Sequence, residues 1–215
     1  MGVEAFLQHL DDPSPGFRCV KAGTGDRKSS LVVQVSNLRN EPADEKSLAE
    51  LRARLGPAAG DFARLYGVND GLVLYAQTEV QQGRHDPPYP AGLRFFPVRD
   101  WDQRSEMARD WLGALLFEDE EPEDWMKNGL AFAEICHSGN YFLVQPSGPQ
   151  AGKIYFQWHE SLWDWEAPIA EELDAFLELI LADPAGFLDR MGCCTRYADG
   201  RSEDQWVPEI YVPDA

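Results

Sequence analysis

The segment Tyr66-Gly67-Val68-Asn69-Asp70-Gly71 forces the chain to reverse between an apolar pattern of helical period and a short apolar run. Before it, Phe62, Leu65 and Tyr66 have the i, i+3, i+4 spacing of one buried helical face. Gly67 stands where a helix end takes a left-handed residue, a conformation in which any side chain would clash. Asn69-Asp70-Gly71 supplies residues that tolerate positive φ and bond their own backbone, so Leu72-Val73-Leu74-Tyr75 follows as a strand. The element names no chemistry by itself. Its meaning comes from the order of what surrounds it.

Upstream, Ser47-Leu48-Ala49-Glu50 has the form of a capping box, and Leu48, Leu51 and Leu55 make an apolar stripe behind it. Gly56-Pro57 interrupts the stripe, and Pro57 opens a second short helix. Nearer the start, Ala5, Leu7 and Leu10 fit a short helix ended by the Pro/Gly cluster at 12–16. Residues 31–35 are β-branched and read as a strand stopped by Asn37 and Asn40, before a polar connector to Lys46.

Downstream, a polar loop with Gly83, Pro87, Pro88 and Pro90 leads to a strand at 93–96, closed by Pro97. Asp100 then caps a helix with Met107, Trp111 and Leu115 on one face, followed by the acidic loop 118–124. Three strands come next, at 130–135, 141–144 and 153–158, the first two joined by the reversal Ser138-Gly139-Asn140. Ile169, Leu173, Phe176, Leu177, Ile180 and Leu181 keep the helical period between Pro168 and Asp183-Pro184. Pro184 begins a last short helix through Phe187, Leu188 and Met191. The division this implies is an N-terminal extension over 1–46 that adds a strand, a domain over 47–191, and a tail over 192–215. The fold expected is α+β, one mostly antiparallel curved sheet with helices packed against it.

At 215 residues with 44% hydrophobic content, the chain is long enough for one full core. Its formal net charge of −18 repels nucleic acid; on charge alone it serves solubility first, and any long-range steering would favour a basic partner. No apolar stretch is long enough to span a bilayer, and the start lacks the charged and apolar regions of a secretory signal. Cys19, Cys136, Cys193 and Cys194 do not have the spacing of a small secreted disulfide scaffold, so free thiols in a reducing cytoplasm are the expectation.

The order of elements resembles the SUKH superfamily, whose founding members include fungal regulators of cell-wall synthesis. The residues that carry the resemblance are Asn69-Asp70-Gly71 after the second helix, the hairpin Gly139-Asn140-Tyr141, the strand 154–156 and the helix segment Ala175-Phe176-Leu177. The likeness spans roughly residues 47 to 191. Two features depart from it: Gly56-Pro57-Ala58 replaces the Leu-Pro that often opens the second helix, and the 100–128 segment is longer and more acidic. The resemblance implies an immunity-type protein that binds and neutralises a toxin, or a regulatory interaction module. It carries no shared catalytic motif and implies no cofactor.

Direct chemical readings are weaker. His9, His85, His137 and His159 make no metal-ligand spacing with the cysteines. Cys136 and His137 are neighbours on a strand and point to opposite faces, so a Cys136 nucleophile would need His85 or His159 as base. No Gly-x-Ser-x-Gly elbow, phosphate loop or dinucleotide fingerprint occurs. A hydrolase is the least favoured reading. Among seven tryptophans, Trp125 and Trp163 lie beside charged residues in loops and are expected to be exposed. With Glu118, Asp119, Glu120, Glu121, Glu123 and Asp124, they form the expected partner-binding set: an acidic rim around an aromatic anchor, suited to a basic protein.

Overall fold

The computed structural model describes residues 2–11, 16–23, 29–77, 91–115, 122–136, 138–159, 167–192, 197–198 and 204–213. The chain opens with α1 (Gly2–His9), β1 (Gly16–Lys21), β2 (Ser30–Gln34) and β3 (Ser36–Arg39). Next come α2 (Glu45–Leu55), α3 (Ala59–Tyr66), β4 (Leu72–Ala76) and β5 (Leu93–Phe95). Then follow α4 (Trp101–Leu115), α5 (Asp124–Asn128), β6 (Leu130–Ile135), β7 (Tyr141–Val144) and β8 (Ile154–Gln157). The chain closes with α6 (Leu173–Ala182), α7 (Pro184–Met191), β9 (Tyr197–Ala198) and β10 (Gln205–Val212).

The α+β class holds, but there are two antiparallel sheets where one was expected. Six strands run in the order β3-β4-β5-β6-β7-β8, and four in the order β2-β1-β10-β9. The second sheet is built from the supposed extension and tail: Phe17 pairs with Tyr211 and with Val33, so β1 is central. A lone strand at each end carries no sign of a partner so distant in sequence. Phe17 and Tyr197 are fully buried here, and their rings lie 5.5 Å apart.

One continuous core joins both sheets to the helices. Phe132, at a register shift in β6, sits at its centre, with ring centroids of Phe62, Phe95 and Phe176 at 5.2, 5.9 and 5.6 Å. The opposite sheet face shows a gradient. A cross-strand row runs Leu38, Val73, Arg94, Glu134, Tyr141, Gln157, exposed at the β3 end and buried at the β8 end where α4 covers it.

Three local expectations change. α2 is capped by Asp44, not Ser47: the Ser47 N–H donates to Asp44 Oδ1 at 2.7 Å, and that bond holds the carboxyl below its usual range. Ser47 is itself a favourable cap residue, so the sequence pattern points three residues downstream of the true cap. Gly67 has φ −66°, ordinary right-handed backbone; the left-handed residue is Gly71, at +87°. α6 starts at Leu173, four residues after the periodic pattern begins, because Ile169 and Ala170 bridge to Ile154 and extend the β8 edge.

The 69–71 reversal ties three elements together. Asn69 Oδ1 accepts from Arg39 Nε at 2.9 Å, and Asp70 Oδ1 accepts from the Val98 N–H at 2.8 Å. A Cβ on Gly71 would lie 2.8 Å from the Pro97 nitrogen and 2.9 Å from the Phe95 oxygen. Gly71→Ala therefore adds a steric clash to a disfavoured φ and is expected to cost about 2 kcal/mol in urea unfolding. A change below roughly 0.5 kcal/mol would show that the turn relaxes freely.

Candidate protein-docking face

α4 is oriented by what it buries. Trp101 is fully buried, its ring 5.7 Å from Phe62 and 5.5 Å from Tyr66, and its Nε1 donates to the Phe96 oxygen at 3.2 Å. One turn on, Ser105 Oγ accepts from the Ala131 N–H at 2.8 Å. The Ala108 carbonyl accepts from Gln157 Nε2 at 3.0 Å, and Leu112 completes the inner stripe. These contacts fix the helix rotation.

Met107 and Trp111 consequently face outward, 38% and 47% exposed. They do share a face, as the sequence pattern implies, but that face meets solvent. The inner stripe was hidden because one of its members, Ser105, is polar. Gln103, Met107 and Trp111 form one ridge, and Asp102, Glu106 and Asp110 form the ridge beside it at i, i+4, i+8. Arg54 of α2 clamps Asp102 bidentately at 2.7 and 2.9 Å, while Glu106 and Asp110 are exposed. The Trp111 ring is met edge-on by His159 at 6.2 Å. His159 is itself held by Asn140, whose Oδ1 accepts from its backbone N–H and lies 2.7 Å from its Nδ1. The anchor thus has a rigid flank.

The expected site residues divide. Glu118, Asp119, Glu120, Glu121 and Trp163 lie outside the described residues. Glu123 and Asp124 are exposed at the start of α5. Trp125 corrects the expectation of an exposed anchor: it is buried and stacked on Tyr155, with centroids 5.0 Å apart and planes 2° from parallel. Its Nε1 donates to Glu123 Oε2 at 3.0 Å. The short α5 lays the indole on the sheet, which a loop reading could not foresee. Trp111 is the exposed indole among the described residues and was missed; the polar side of its helix was the available signal.

The reactive groups are deeply set. Burial pushes the Cys136 thiol up to about 12 against the pull of Arg94, and burial does the same to Cys19. Both stay protonated at neutral pH and are poor nucleophiles. His85, His137, Cys193 and Cys194 lie outside the described residues. Among the described residues, no three His, Cys, Asp or Glu side chains converge as metal ligands, and no helix is long and apolar enough to cross a membrane. The chain matches no family model and no curated protein.

Proposed function

We propose that this chain is a non-catalytic protein-binding module working in the cytoplasm, with immunity-type neutralisation of a basic toxin domain as its leading role. The observation that carries this reading is the exposed Met107–Trp111 ridge beside Asp102, Glu106 and Asp110, on a chain of net charge −18. Tryptophan and methionine offer large contact area that gains most when a partner excludes water from it. The acidic ridge accelerates encounter with a positive surface and disfavours neutral or acidic competitors. The resemblance to SUKH immunity proteins supports the same reading.

The test uses a basic toxin domain encoded beside this gene, purified and titrated against the chain by calorimetry and by association kinetics. Trp111→Ala is expected to weaken binding by about 2 kcal/mol, roughly thirtyfold, chiefly through faster dissociation. Glu106→Lys with Asp110→Lys is expected to slow association and flatten its salt dependence. Unchanged affinity and kinetics in both variants would remove this face from the interaction.

A further inference from the structure

We propose that two copies of this chain associate through the β2 edges of their four-stranded sheets, an inference that goes beyond the binding of a foreign partner. Four strands end a sheet: β2 and β9 in one, β3 and β8 in the other. β8 is wholly buried and its edge is closed by the bridge from Ile154 to Ala170, and β9 has two residues. The remaining two edges belong to one continuous segment, since only Val35 separates β2 from β3. Among the described residues, neither has a strand on its outer side.

Soluble proteins blunt such edges with lysine, proline, a bulge or a cover. Here residues 29–38, Ser-Ser-Leu-Val-Val-Gln-Val-Ser-Asn-Leu, contain no charge and no proline in a chain that is 26% charged. β2 pairs with β1 without a register shift, so no bulge turns it away. Val32, at its centre, is 47% exposed, and Leu38 on β3 is 40% exposed.

Charge selects the occupant. Antiparallel pairing about a two-fold axis sets the residue on the axis against its own image and each other residue against the one equally far on the opposite side, so a charge at the centre of the strand would oppose itself. Two copies of net charge −18 repel each other overall, and that repulsion is weakest where the facing segments are neutral. With the axis at Val32, Ser30 meets Gln34, Leu31 meets Val33, and Val32 meets itself. All are neutral. Among the described residues, the nearest charge on this face is Arg18, paired with Val32 one strand inward. The two Arg18 side chains would stand three strand steps apart, roughly 14 Å, beyond the screening length of about 8 Å at physiological ionic strength. A ladder this short buries less than the roughly 1,200 Å² of a standard interface, so the dimer is weak and exchanges with monomer.

The experiment is sedimentation velocity of the full chain at micromolar loading, with hydrogen exchange on the same samples. Raising ionic strength from about 0.01 M to about 1 M shortens the screening length from roughly 30 Å to roughly 3 Å. Because the two bodies repel, dimer is expected to increase with salt, opposite in sign to binding of a basic partner. Amides of residues 30–34 are expected to exchange more slowly in the dimer. Val32→Lys, at an exposed position, sets lysine against lysine and is expected to form less dimer than the native chain at the same salt, most clearly at low salt, while Val32→Thr keeps the dimer. Val32→Glu repeats the test if the lysine variant fails to fold by circular dichroism. Monomer at both salts, a dimer undiminished by Val32→Lys and Val32→Glu at the same salt, or a dimer that weakens with salt would each overturn the proposal. None of these outcomes touches the Trp111 face, so the two surfaces are tested separately.

Discussion

Phe132→Ala is expected to remove about 3–5 kcal/mol of folding stability, the largest effect of any single truncation in this core. The side chain is fully buried and is the extra residue at the β6 register shift, which swings its ring into the cluster of Phe62, Phe95, Trp101 and Phe176. Those neighbours come from α3, β5, α4 and α6, so the cavity left behind is lined by four elements that cannot all move inward together. Since a domain has about 5–15 kcal/mol in total, the variant should unfold at much lower urea and melt about 10 °C earlier. A loss below roughly 1 kcal/mol would mean that the helices reclose over the gap.

Arg94→Met is expected to cost about 3 kcal/mol at neutral pH, with a pH signature that separates it from simple loss of packing. Arg94 Nη1 lies 3.0 Å from Glu134 Oε1, and the Glu134 side chain is only 10% exposed. Burial raises the Glu134 carboxyl above its usual value, while Arg94 and then Arg104 pull it back. A folded value above the unfolded one means the native state holds the proton more tightly, so this residue's contribution falls as pH rises between the two values. Without Arg94 the folded value climbs further. The deficit should therefore widen toward neutral pH and shrink on acidification, in urea midpoints measured from acidic to neutral pH. The double variant Arg94→Met with Glu134→Leu should regain most of the loss, because no buried charge is left alone. A deficit independent of pH would place the effect in packing instead.

What could be read from the sequence was what local pattern encodes. The hairpin strands β6 and β7 and the helix α7 fall where alternation, Gly139-Asn140 and Pro184 put them. The second sheet was illegible because β1 and β10 recognise each other only in space. Ile169 shows the same limit at smaller scale, since a residue in perfect helical register was taken by the edge of β8. For the candidate site, the acidic character was readable but the aromatic partner was not. Trp125 and Trp111 have similar charged surroundings in sequence, and only the turn of α5 and the polar anchor Ser105 on α4 decide which is buried.

The pairing of β1 with β10 also orders events during synthesis. The first strand leaves the ribosome long before its partner is translated, a wait of roughly ten to forty seconds at about 5–20 residues per second. Through that interval Phe17 and Cys19 lack the strand that will shield them, and the uncharged β2 segment emerges alongside. Nascent chains of this protein should therefore depend on chaperone protection until β10 has emerged.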